Sequence, residues 1–274
     1  MKGLKKLVLA TAVAAAPFAA HAELKALDDG AMGNVTGQAG VTIELETKVD
    51  IGEVRYQDEG TFAMTGVSIG GGSIVDDGNG GITTDGLLDD LKIDIDVAAD
   101  GDALIHVGNV NGQVPIDFAV AVNEVSLRGD TDSTLLASNI GIVGNLGKLD
   151  IQVDTATDSL ITDVAFNITN MDMDIDFLGV NVRGMQVMGG QFFEQVAASG
   201  QPTDAAGMFA AATLTIAKTT AAGSTSGEAL GINVSDFTTD INVAETNIGG
   251  ANIGTIQLDN LTISNTSMKV YGHN

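Results

Sequence analysis

The stretch LKIDIDV, residues 91–97, leaves the backbone little choice. Leu91, Ile93, Ile95 and Val97 fall on one parity, and Lys92, Asp94 and Asp96 on the other. A helix would scatter these residues around its circumference, whereas an extended strand sorts them onto one buried face and one wet face. The same texture recurs in LDIQVD (residues 149–154) and in MDMDIDF (171–177), where Met171, Met173, Ile175 and Phe177 oppose three aspartates. Ile116, Phe118, Val120 and Val122 form another stripe, and residues 232–243 carry a looser version. Asp77-Gly78, Asp100-Gly101, Asn111-Gly112 and Gly189-Gly190 supply turn chemistry between these stretches. KIDIDVAADGDALIHV therefore predicts a hairpin bending at Asp100–Asp102.

The pattern specifies an all-β fold, a largely antiparallel curled sheet or sandwich. A β-solenoid is the alternative, above all toward the C-terminus, where Asn-Ile-Gly occurs at 247–249 and again at 252–254. The apolar parity slips between Val122 and Val125 and between Ile168 and Met171. A one-residue slip would turn core side chains outward, so a bulge or turn is expected at each place. Residues 191–212 break the alternation around Pro202 and predict a helix or loop insertion.

Residues 1–22 precede this domain and have a different character. Lys2, Lys5 and Lys6 lead into an apolar run, and Ala20-His21-Ala22 places small residues at the two positions a signal peptidase reads. The expectation is a signal peptide over 1–22, cleavage before Glu23, and a β-rich domain over 23–274 with a lead-in at 23–40. No later stretch is long and apolar enough for a membrane-spanning helix. Export would leave the chain in the periplasm, at the outer membrane surface or outside the cell. It would hold its fold there without disulfides, because it has no cysteine. A net charge of −24 argues against nucleic acid and anionic lipid as partners.

Two segments carry a family resemblance. LDDGAMGNVTGQAGVTIEL (residues 27–45) resembles the start of a family of exported Gram-negative proteins, largely uncharacterised, some labelled pilus assembly protein FilA. Thr255–Asn274, TIQLDNLTISNTSMKVYGHN, is similar to that family's ending near Tyr-Gly-His. The resemblance implies an exported β-rich protein associated with surface structures. Its partners would be proteins of a surface-assembly system, self-association included. No catalytic residue carries over from it.

The chemistry-bearing residues are few. His106 lies in the strand-like ALIHVGNV, and His273 sits beside the C-terminus. No G-x-S-x-G, H-E-x-x-H or phosphate-loop pattern occurs. Aromatic residues make up 4% of the chain, too few for the stacking platforms of a sugar-cleaving site. These observations point away from an enzyme and assign no catalytic, cofactor or metal residues. Calcium is the one ion the sequence invites. Asp76, Asp77, Asn79 and Asp85 lie in a Gly-rich loop, with further acidic turns at Asp100–Asp102 and Gly129–Asp132, although Asp and Gly are also what β-turns require.

Three non-enzymatic readings follow. The first is a structural or assembly protein of a surface filament, pilus or adhesin, with edges at Val41–Leu45 and Ser267–Tyr271. The second is a periplasmic carrier whose apolar groove would draw on Met64, Met171, Met173, Met185 and Met188. The third is an outer-membrane-associated β protein, against which the lack of Trp and the scarcity of aromatics weigh.

Overall fold

A computed structural model describes residues 40–112, 115–235 and 237–272. The expected signal peptide, nearly all of the lead-in and His273 lie outside these residues. Fifteen strands join in one hydrogen-bonded network in which every pairing is antiparallel. The fold is all-β.

The strands are β1 (Val41–Thr47), β2 (Val49–Gln57), β3 (Thr61–Asp76), β4 (Ile82–Gly86), β5 (Leu88–Val97), β6 (Ala103–Asn109), β7 (Ile116–Arg128) and β8 (Ser133–Asp154). They continue with β9 (Ser159–Ile175), β10 (Val180–Gly189), β11 (Ala210–Thr220), β12 (Glu228–Val234), β13 (Phe237–Ile248), β14 (Ala251–Ile263) and β15 (Thr266–Val270). Two short helices, α1 (Phe192–Ser199) and α2 (Ala205–Met208), fall between β10 and β11.

The pairings reduce to a simple plan. β8 is a single strand of 22 residues, roughly 70 Å if fully extended at about 3.3 Å per residue. β7 pairs with its first part and β6 with its last, both antiparallel to it, so β6 and β7 are successive stretches of one long strand. The same logic joins β1 to β2, β3 to β5, β10 to β11, β12 to β13, and β14 to β15. With β8 and β9 these give eight long strands in sequence order, each hydrogen-bonded to its neighbours in the chain. The architecture is an up-and-down meander.

Turns close its ends. Asp100–Asp102 bends the β5–β6 hairpin as expected, with Gly101 at φ +96° and its N–H on the Ala98 carbonyl at 3.0 Å. The Asn-Ile-Gly repeat is one hairpin and not two coils of a solenoid. Asn247 pairs with Asn252 across a turn in which Gly249 (φ +58°) and Gly250 (φ +82°) adopt left-handed backbone, which favours glycine. Asn111-Gly112 behaves differently from its hairpin-like sequence. It lies in a break between two collinear strands, and the chain does not reverse there.

Two long strands are interrupted midway. Residues 72–87 fold β4 back on β3, and residues 190–209 hold α1 and α2, in agreement with the expected insertion. Both insertions cover the same face of the central strands. Ser68, Ala121 and Gly141 share a cross-strand rung and therefore a face. Thr84 of β4 meets Ser68, hydroxyl to hydroxyl, at 2.9 Å, and Ile74 lies over Gly141. Asn145 and Asn167 lie on that face farther along. The Asn167 amide donates to the Met208 carbonyl at 3.1 Å, and the Phe209 ring covers Gly147. Backbone lies so close here that only small side chains fit, so Ala119 and Ala121 are 0% exposed.

The opposite face is apolar across the whole meander. Val49, Ile69, Val120, Ile142, Met171, Met185, Val243 and Ile256 form one continuous rung, one residue from each long strand. Val41, Ile95, Ile105 and Ile151 begin another. Bulges keep β8 and β9 in phase. The expected slip between Ile168 and Met171 is a register shift opposite Val143 and Gly144, and a second at Gly147 lets Ile142, Leu146, Leu149 and Ile151 share the apolar side. The slip expected between Val122 and Val125 is absent from the pairing with β8, which stays in register there; the register shift lies between Val125 and Ser126, and its extra residue belongs to β8.

Candidate functional site

Two features stand out from the sheet: a charged rung on its polar face and the two edges of the meander. The rung follows from the alternation of β5 and β8. With isoleucines turned to the apolar side, Thr42, Asp94, His106, Asp150, Asp163 and Thr213 line up across six adjacent strands on the other side. Asp94 Oδ1 accepts from Thr42 Oγ1 at 2.7 Å, and its Oδ2 lies 3.0 Å from Lys92 Nζ. His106 Nδ1 and Asp150 Oδ1 are 2.5 Å apart. Lys148, in the register shift that follows Leu146, reaches Asp150 at 2.9 Å and Asp163 at 3.7 Å. Thr213 Oγ1 donates to Asp163 Oδ1 at 2.5 Å.

The electrostatics are those of a compensated ladder. The Thr42 hydrogen bond, then that of Lys92, holds the Asp94 carboxyl below its ordinary range. Burial would raise Asp150, but hydrogen bonds from His106 and Lys148 outweigh it and the carboxyl stays low. Lys148 is raised in turn, chiefly by its hydrogen bond to Asp150. A second knot at Met173–Arg183 works the same way. Burial opposes ionisation of Asp174, but Asn139, Arg183 and Asn181 together keep it low. Each of these acids is matched to a donor in the sheet, which ties strands together and relieves self-repulsion.

In the first two acidic turns that invited calcium, carboxylates accept hydrogen bonds from the protein itself. Asp77 Oδ1 accepts from Asn79 N (2.7 Å) and Gly81 N (2.9 Å), and Asp76 Oδ1 from Gly78 N (2.6 Å). Asp85 Oδ1 takes the Ser73 amide at 2.6 Å, and Asp102 takes the amide and hydroxyl of Thr155, both at 2.9 Å. Among the described residues no three His, Cys, Asp or Glu side chains gather as a metal cluster.

The five methionines separate. Met171 and Met185 face each other in the apolar rung, Met173 pairs with Val182, Met64 sits between Val54 and Val125, and Met188 is buried. Phe177, expected in the β9 stripe, lies beyond the strand end. The chain reverses through a 3-10 turn at Asp176–Leu178, with Gly179 left-handed, and Phe177 is exposed.

The edges are the second feature. Among the described residues β1 pairs with β5 alone and β2 with β3 alone, while β14 pairs with β13 and β15 with β12. The expected edges at Val41–Leu45 and Ser267–Tyr271 therefore fall on the outer strands of the sheet, the second ending at Val270. Large apolar side chains concentrate on them, among them Val41 (57% exposed), Ile256 (44%) and Val270 (50%).

Comparison with known proteins is sparse. The model of a family of unknown function (DUF6160) matches residues 1–99, which reach through β5. No curated protein matches the chain, and no solved structure does. None of the helices among the described residues is long and apolar enough to cross a membrane.

Proposed function

We propose that this chain is an exported, non-catalytic structural or assembly protein of a cell-surface filament, pilus or adhesin system. The observation that carries this reading is the pair of edges left unpaired among the described residues, each running the length of a long strand. Strand addition draws its affinity from backbone hydrogen bonds and needs an unpaired edge more than it needs special side chains. The signal-like residues 1–22 and the resemblance of the two ends to exported surface-associated proteins support the location. The charged rung supports a non-catalytic role, because its acids are matched to strand-crossing partners.

A periplasmic carrier is the second reading, favoured by the half-exposed apolar face with Met171 and Met185 at its centre. Protease treatment of intact cells separates the two. A surface component is digested, with its mature N-terminus at Glu23, whereas a carrier is protected until the outer membrane is opened. Protection in intact cells refutes the surface reading. Retention of Met1 in the exported material refutes the signal peptide.

A further inference from the structure

We infer that the partner at these edges is a second copy of this chain, whose eighth long strand adds to the first long strand in a head-to-tail array. This deepens the surface-assembly reading and takes its biological setting from it.

Edge strands in monomeric proteins are shielded by charge, proline or shortness. The eighth long strand, residues 251–270, has no proline, and its charged residues are Asp259 and Lys269. The first, residues 41–57, carries four acids and two bases. Pairing two first strands about a twofold axis would set acids against acids, which is unfavourable in a ladder. The near-neutral eighth strand avoids that clash. Pairing two eighth strands would leave Val41, Ile43 and Val49 uncovered, whereas head-to-tail addition pairs both edges of every interior copy.

Register and direction agree. An even number of antiparallel strands makes the first and last run in opposite directions, so adding one copy to the next extends the same antiparallel sheet. Val49 and Ile256 end the same rung, so Ile256 of an added copy beside Val49 carries the apolar face on without a slip. Such a contact is heterologous, and an open array forms wherever the rotation between copies does not close a ring.

The cysteine-free background provides a clean test. Val49→Cys and Ile256→Cys variants of the full processed chain are mixed and oxidised. The mixed disulfide dimer should dominate over either homodimer. The doubly substituted chain should give a ladder of multimers that grows with concentration, and Leu258→Lys should abolish that ladder while leaving the far-UV circular dichroism unchanged. A double variant that yields only an internally cross-linked monomer means that the chain closes on its own edge and overturns the inference. Homodimers matching the mixed product, or no cross-linked product, overturn it equally. The cell-surface test is independent: a ladder from a protein that is protected in intact cells preserves self-pairing and removes the surface reading.

Discussion

Asp240 should be among the residues whose loss costs the fold most. It lies in β13 with 1% of its surface exposed, and its two oxygens hold separate parts of the molecule. Oδ2 accepts the Phe193 amide at 2.8 Å, in the first turn of α1. Oδ1 accepts the Asn260 amide at 2.6 Å, where β14 bulges and Asn260 takes φ +54°. Phe193 lies in the first turn of α1 and Asn260 falls in the register shift of the β13–β14 pairing, so one carboxylate ties the helical insertion to the edge strand.

Asp240→Ala leaves both donors without an acceptor. At about 1–3 kcal/mol for each stranded group, the expected loss is about 2–4 kcal/mol after partial hydration. Asp240→Asn keeps one acceptor and aims an NH2 at the other amide, so it should cost about half as much. The change is a large share of a typical stability of about 5–15 kcal/mol. It corresponds to about 2–4 °C in Tm per kcal/mol for a chain of this size. Urea unfolding with an unchanged slope would measure it, and hydrogen exchange should quicken at the Phe193 and Asn260 amides. Both variants unfolding within about 0.5 kcal/mol of the parent, inside the range of an ordinary surface change, would refute the account.

Two further perturbations test the sheet. Ile95→Asp places a carboxylate in a half-buried apolar rung between Val41 and Ile105 and should lower Tm more than Asp94→Asn on the opposite face; equal shifts would mean that the faces are misassigned. The Thr155 amide, then Gln152 and the Thr155 hydroxyl, holds the Asp102 carboxyl below its usual value. Its contribution should therefore be complete above the unfolded carboxyl pKa of about 3.9 and be lost as pH falls through the lower folded value. The stability gap between the parent and Asp102→Asn should stay constant down to about pH 4 and narrow below it, and a gap that widens with acid would contradict this.

Much of the sheet is legible in the sequence because strand alternation is local. The parity of Leu91–Val97, the bend at Asp100–Asp102 and the slip at Ile168–Met171 all follow from residues a few positions apart. The collinear joining of β6 and β7 does not. Asn111-Gly112 has the chemistry of a hairpin turn, and only β8, pairing with both strands, reveals that the chain keeps its direction. The second burial of β7 is hidden for a similar reason. Ala119 and Ala121 sit at nominally wet positions, and the segments that cover them are inserted elsewhere in the chain. His106 and Asp150 are separated by 44 residues, and no local pattern brings them to 2.5 Å. Asp240 belongs to the same class. An aspartate in an alternating stretch reads as solvated, and its burial depends on α1 and β14 arriving from different directions.

The strict neighbour-to-neighbour order of the meander bears on how the molecule is made. A chain emerging N-terminus first can zip each long strand onto the one before it, without waiting for a distant partner to be synthesised. Contacts that close over short spans carry little loop entropy, so assembly can keep pace with emergence. Throughout this growth the newest strand presents a bare edge, and among the described residues β14 and β15 still present theirs. Each long strand in this order meets its template already laid down, so the direction of synthesis and the order of pairing coincide.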